Sequence, residues 1–411
     1  LVETLLETSS ARGTSFSSSG RSVKPVRMKD IKKKESKRIS SNIGEFDRVL
    51  GGGFVPGQVV LIAGTPGIGK STLLTQIAKN MSADNMLYIC GEESPAQIRL
   101  RTDRMGYEAD NLYLIADTNV ENVIRSVEEF SAGSDLGLLI IDSVQALHSD
   151  DLSGMAGSVG QVRGSTAKLI DVAKNLNVPV LLVGHVTKEG TVAGPMVLEH
   201  MVDTVLYLEG DANHLYRILK TTKNRFGPVS EVGIFEMVEE GMREVKNPSK
   251  LFLGDKNKLP SGTCVTVVME GYRPLLFEIQ ALTVKTSFGY PKRTASGYNV
   301  NRLHVLLATL EKRCQLNLSD YDVYVSVSGG YKVSEYSCDL AVCLALASSI
   351  MDKPIEAGVA AFGECDLSGS VRSVPYQDLR TKELKKLGYE RVLGPENVST
   401  IKQAIKKALP R

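Results

Sequence analysis

Gly64-Thr65-Pro66-Gly67-Ile68-Gly69-Lys70-Ser71 satisfies the phosphate-loop pattern G-x-x-x-x-G-K-[ST] at every required position. The apolar run Gln58-Val59-Val60-Leu61-Ile62-Ala63 before it predicts a buried strand. Ser71-Thr72-Leu73-Leu74-Thr75-Gln76-Ile77-Ala78 after it predicts the start of a helix. Strand, glycine loop and helix together are the context in which backbone N–H groups close around phosphate oxygens and the helix dipole adds to their pull. Lys70 is placed to reach the β- and γ-phosphates, and the Ser71 hydroxyl to ligate Mg²⁺. Gly64, Thr65, Pro66, Gly67, Ile68, Gly69, Lys70, Ser71 and Thr72 are therefore the candidate site for ATP and Mg²⁺. No N-K-x-D base-reading motif stands in a suitable place, which disfavours GTP.

Around the loop, strand-like runs at 59–63, 86–90, 112–115, 138–141, 180–183, 204–208 and 216–222 alternate with helix-like runs near 71–82, 94–105, 119–131, 161–176 and 196–201. This alternation predicts an α/β fold with a mostly parallel sheet covered on both faces. The segment 246–260, with Pro248, Pro260 and several lysines, breaks the pattern and reads as a linker. Beyond it, strand-like runs at 263–269, 274–283 and 323–327 and helix-like runs at 298–314, 339–351 and 378–387 predict a second, α+β unit. The expected organisation is a flexible basic segment over 1–38, an ATPase domain over 39–245, the linker 246–260, and a second domain over 261–411.

Several polar residues end these strands. Leu138-Leu139-Ile140-Ile141-Asp142 places Asp142 to hold the Mg²⁺ shell. Glu92 and Glu93 end another strand, and either is placed to orient or deprotonate an attacking water. They also precede Ser94 and Pro95, a helix cap and first-turn residue, so helix capping is the other reading. His185 and Thr187 follow the run 180–183 and are candidate sensors of the γ-phosphate. Lys223 and Arg225, two residues apart, point the same way on an extended edge and can reach a γ-phosphate across a subunit boundary, or simply form a solvated turn. Two Gly-rich segments, 149–168 and 188–199, carry Gln161, Arg163, Lys168 and Lys188. Neither has an aromatic stacker, so contact with a nucleic acid backbone is favoured over base reading.

The remaining composition is permissive. A chain of 411 residues suits two or three units, and 42% hydrophobic content suits a large core. No apolar run is long enough to span a membrane as a helix, and no signal-peptide pattern opens the chain, so a cytoplasmic location is expected. The six cysteines form no C-x-x-C pair, which argues against zinc and against a disulfide framework. Residues 1–40 hold ten Lys/Arg against four Asp/Glu, while the whole chain is only +2, so a basic arm precedes a net acidic remainder. Such an arm suits either nucleic acid contact or a solvated linker.

The ordered set of 64–71, Cys90-Gly91-Glu92-Glu93-Ser94, Ile141-Asp142-Ser143-Val144-Gln145 and Lys223-Asn224-Arg225-Phe226-Gly227 resembles the bacterial RadA (Sms) family of RecA-related recombination and repair ATPases, from about residue 40 to the end. The resemblance implies a RecA-like ATPase core in a hexameric ring with ATP at subunit interfaces. It implies single-stranded and branched DNA as substrate, helicase-type branch migration as activity, and a RecA-type recombinase as partner. It also implies that Lys223 and Arg225 act in trans. The second domain resembles the proteolytic domain of Lon proteases, with Ser337 at the nucleophile's place and Asp378 aligned at the lysine's. A Ser–Lys dyad needs the amine as base, so the resemblance implies a non-proteolytic scaffold. Lys292, Arg293, Arg372, Arg380 and Lys382 are its candidate DNA contacts. Members usually open with a four-cysteine zinc finger. No cysteine precedes Cys90 here, and the resemblance implies a start just after such a finger. An ATP-dependent Lon-type protease and a KaiC-like signalling ATPase are the competing readings.

Overall fold

Six strands build the core of the larger sheet, five of them largely buried apolar runs and the edge strand β3 only half-buried: β1 (Val59–Gly64), β2 (Asn85–Cys90), β3 (Leu112–Ile115), β4 (Leu136–Asp142), β5 (Val180–His185) and β6 (Thr204–Glu209). All six are parallel, and the buried ones are apolar without alternation because helices cover both faces. An antiparallel meander of β7 (Tyr216–Asn224), β8 (Val232–Val238) and β9 (Gly241–Glu244) extends one side. The order is β3-β2-β4-β5-β1-β6-β7-β8-β9, so β5 lies between the phosphate-loop strand and the strand ending in Asp142. In the computed structural model the described residues are 27, 37–81, 85–185, 197–210, 216–254, 259–287 and 289–410. The expected basic arm, apart from Arg27, Lys37 and Arg38, lies outside them, as do Thr187 and Lys188.

One face of this sheet is covered by α1 (Gly44–Leu50) and α2 (Lys70–Asn80), which contribute Phe46, Leu50, Leu73 and Ile77 to its core. The other is covered by α4 (Val120–Gly133) and α5 (Val159–Leu176), through residues such as Val123, Val127, Val162 and Leu169. On the α1 and α2 side α3 (Pro95–Arg104) buries Ile98 and starts sharply at Ser94, whose side chain and that of Gln97 form a capping box with Pro95 in the first turn. Of the helix expected near 196–201, the described residues show one 3-10 position at 197 and turns from 198 on. Residues 198–202 make tight turns in which the Leu198 carbonyl accepts from Met201 and Val202 N–H.

The segment expected as a linker contains a short helix, α6 (Ser249–Phe252), and Phe252 is buried against Phe277 and Tyr216. The second sheet follows: β10 (Thr263–Glu270), β11 (Arg273–Lys285), β12 (Arg293–Ser296), β13 (Tyr321–Val327), β14 (Val359–Ala361) and β17 (Arg391–Leu393), in the order β12-β13-β11-β10-β14-β17. A two-stranded hairpin, β15 (Glu364–Cys365) and β16 (Val371–Arg372), lies between β14 and β17 in sequence. The helices α7 (Val300–Cys314), α8 (Asp339–Met351) and α10 (Ile401–Ala408) bury their apolar faces in one core. On the opposite side α9 (Gln377–Lys386) adds Leu384 to a smaller cluster. Arg38–Arg411 pack as one unit, and a buried ion pair ties the second sheet to α1. Arg273 of β11 grips Glu45 of α1, whose carboxylate also accepts the Ile234 N–H at 2.9 Å.

Candidate nucleotide site

The loop between β1 and α2 needs glycine at two places. Gly67 and Gly69 have φ of 75° and 111°, and a Cβ on Gly69 would overlap the Met242 methyl group. Lys70 opens α2 and is 4% exposed, its Nζ donating to Gly64 O at 2.8 Å and Thr65 O at 3.1 Å. Burial lowers its pKa, against the opposing pull of Asp142 and Glu92. No side chain caps the N-terminus of α2, which leaves its first N–H groups to an anion. A desolvated cation held inside a loop of backbone donors fits a polyphosphate.

Asp142 ends β4 beside Cys90 of β2 and is 3% exposed. Its Oδ2 accepts from the Tyr88 hydroxyl at 2.6 Å, and its carbonyl accepts the N–H groups of Gly91 and Glu92 at 2.8 and 3.2 Å. Burial and the Asp142 charge push the Tyr88 hydroxyl well above its usual range, so it stays a donor. The turn carrying Glu92 therefore hangs from Asp142 itself. Glu92 accepts from Ser143 Oγ, and its Oε2 lies 2.9 Å from His185 Nε2. His185, with help from Ser143 and Lys70, holds the Glu92 carboxyl below the usual range against the cost of burial. His185 pairs in register with Gly64, so β5 brings it beside the phosphate loop. The ends of β1, β2, β4 and β5 thus bring Lys70, Glu92, Asp142 and His185 together.

Glu93 is corrected. Both its carboxylate oxygens take Arg101 of α3, a side chain only 11% exposed, so Glu93 is engaged as an ion-pair partner while Glu92 is the acid turned toward Ser143 and His185. Lys223 and Arg225 stand at the end of β7, after a shift in its pairing with β6. The Lys223 ammonium donates to the carbonyls of Glu199 and Val202 at 2.6 and 2.8 Å. Arg225 contacts Asp203 at 3.1 Å while its side chain remains 53% exposed. A residue absent from the sequence reading also enters the site. Arg217 of β7 is buried and donates from Nε to Ile68 O, inside the phosphate loop, at 2.9 Å. Its only sequence signal is a charge at a core-facing strand position.

The expected DNA contacts divide. Gln161 is corrected: it is 2% exposed, its amide pinning Ser149, Leu152 and Gly154 at the start of α5. Arg380 is corrected as well. It is fully buried, paired with Glu335, and donates to Val267 O at 2.7 Å and Ser337 Oγ at 3.0 Å. The residue facing Ser337 is thus Arg380 rather than Asp378. Lys168 is bound by Glu121 and Asp151, and the Arg293 guanidinium donates to the carbonyls of Lys292, Leu318 and Tyr321. Neither offers a free cation. Arg163, Lys292, Arg372 and Lys382 are exposed, with Arg372 contacting Asp366. Among the described residues no group of His, Cys, Asp and Glu is arranged to hold a metal by itself, and no helix is long and apolar enough to cross a membrane.

Residues 39–248 match the family model for the KaiC-type ATPase. Fold and site together define a RecA-like phosphate-loop ATPase that binds ATP. The DNA repair protein RadA of Bacillus subtilis is 45% identical over 399 residues, covering 96% of this chain and 86% of that protein. Its counterpart in Listeria monocytogenes is 44% identical over 422 residues, covering 98% and 92%. That of Streptococcus pyogenes serotype M6 is 45% identical over 393 residues, covering 95% and 86%. The chain belongs to the RadA family.

Proposed function

We propose that this ATPase is a cytoplasmic DNA motor of recombination and repair, working as a homohexameric ring on single-stranded and branched DNA beside a RecA-type recombinase. The observation that carries the hydrolytic part is the convergence of Lys70, Glu92, Asp142 and His185 on one end of the sheet. ATP with Mg²⁺ supplies an activated phosphoryl group and its charge neutralisation. Residues 64–72 bind the phosphates, with the Lys70 ammonium directed at them. Ser71 and Asp142 hold the metal and its water. Glu92 orients the attacking water and accepts its proton, with His185, Ser143 and Lys70 holding its carboxylate in place. His185 joins Glu92 to the strand that leads into the segment around Thr187 and Lys188, a route by which DNA contact there reaches the carboxylate.

Arg225 completes the site of a neighbouring subunit. Its exposure supports this, while Lys223, whose ammonium spans the 199–202 turn, shapes the same corner. Arg163, Lys292, Arg372 and Lys382 remain as DNA contacts. The second sheet and its helices are a Lon-like, non-proteolytic scaffold. The guanidinium beside Ser337 supports that reading, because arginine does not deprotonate and cannot serve as the dyad base. Steady-state phosphate release with and without single-stranded DNA tests the proposal. Turnover should rise with DNA, and Lys70→Ala should abolish it at unchanged melting temperature. DNA-independent turnover together with no DNA binding by the assembled protein would sink the motor reading.

A further inference from the structure

The chain leaves Asp142 through a short 3-10 helix, Val144–Ala146, that packs on both α5 and β5. Its Gln145 is 8% exposed, yet neither its amide oxygen nor its amide nitrogen has a hydrogen-bond partner among the described residues. Two other buried glutamines use both ends of their amides. Gln58 accepts from Val55 N–H and donates to Thr204 Oγ1, and Gln161 accepts from and donates to the Ser149 backbone. An unpaired buried amide is costly, and an apolar side chain of the same length would avoid the cost. Two more unspent groups stand on the elements that this turn touches. Ser165 of α5 is fully buried with no partner for its hydroxyl, and His185 at the end of β5 has a buried Nδ1 with none. The three are chemically complementary. With Nε2 toward the Glu92 carboxylate, the neutral imidazole leaves Nδ1 as an acceptor. Gln145 offers N–H and C=O, and Ser165 offers O–H.

The same turn is tied to Glu92. Gly91 lies so close that a Cβ on it would stand 2.9 Å from the Ala146 Cβ and 3.0 Å from Ser143 O, and Ser143 Oγ donates to Glu92. β4 and β5 are neighbours with Ile141 level with Leu182, which carries the turn and His185 to one edge of the sheet. We infer that Gln145 is a positioning residue for hydrolysis. In the working site the Ser165 hydroxyl donates to its Oε1, and its Nε2 donates to His185 Nδ1, which fixes the imidazole that orients Glu92. Arg163, two residues before Ser165 on α5, is exposed, so the same chain of hydrogen bonds couples a contact on that helix to the posture of Glu92. This inference rests on the reading of Glu92 as the base with His185 as its partner.

Gln145→Met in the full chain keeps the length of the side chain and removes the unpaired amide. It should melt at or above the wild-type temperature and bind a fluorescent ATP analogue as tightly. It should nevertheless lower kcat for ATP with single-stranded DNA roughly 3- to 10-fold at unchanged KM. Ser165→Ala should lower kcat in the same direction. In a His185→Ala background Gln145→Met should cost nothing further, because it acts through that ring. A Gln145→Met protein that melts lower shows the amide to be spent within the fold. A folded one with wild-type kcat shows it idle, and losses that add to those of His185→Ala show it acting elsewhere. Each of these overturns the inference. If His185→Ala alone leaves kcat unchanged, the reading of His185 as the partner of Glu92 fails and the role of Gln145 falls with it. A loss in His185→Ala with none in Gln145→Met removes only the role of Gln145.

Discussion

Arg217 offers the sharpest test of how the phosphate loop is held. Its guanidinium is buried, and its Nε donates to Ile68 O at 2.9 Å, between the two glycines that shape the loop. A hydrogen bond from a charged donor in such a setting contributes about 1.5–3 kcal/mol. If that energy keeps the loop in its phosphate-ready form, Arg217→Gln should lower kcat/KM for ATP by roughly 10- to 150-fold. Arg217→Lys should fall in the same direction, because an ammonium keeps the charge but loses the planar Nε–H. Steady-state phosphate release gives kcat/KM, a fluorescent nucleotide gives affinity, and thermal melting separates loop misplacement from unfolding. Either variant melting like wild type with kcat/KM within about threefold of it would show that Arg217 does not hold the loop.

Glu92→Gln should lose hydrolysis while still binding nucleotide, and Glu93→Gln should chiefly weaken the anchoring of α3 by Arg101. Because the folded protein holds the Glu92 carboxyl below its usual range, the ionised form stabilises the fold above that range, and this contribution disappears as pH falls through the folded pKa. Melting curves should therefore show wild type more stable than Glu92→Gln near neutrality and the gap closing in acid; a gap that widens in acid contradicts the assignment. Arg380→Ala should cost about 3 kcal/mol in urea unfolding, since it strands Glu335, yet leave DNA affinity per folded molecule unchanged. Loss of DNA affinity at wild-type stability would return Arg380 to the DNA surface.

What the sequence revealed and what it hid follow from range. The phosphate loop is local: strand, glycines and helix are contiguous, and Asp142 announces itself by ending an apolar run. Parallel strands buried on both faces read directly as apolar runs. Arg217 was invisible because it reaches the loop from a strand far along the chain, and nothing near it says that it does. Glu92 and Glu93 are adjacent with identical chemistry, and only the position of Arg101 on α3 separates them. Short motifs across a turn do not fix which residue of α9 meets Ser337, and the fold turns Arg380 toward it. α10 escaped notice because it is eight residues long, although Ile401, Ala404, Ile405 and Ala408 keep a helical period.

A nucleotide site finished by a neighbouring subunit is poisoned when that neighbour lacks its cation. Mixing wild-type chains with Arg225→Ala chains at fixed total concentration, with ATP and single-stranded DNA, measures it directly. Variant chains should still bind nucleotide, and phosphate release should fall below the straight line joining the two pure proteins. A linear decline, or variant chains that do not bind nucleotide, would contradict it.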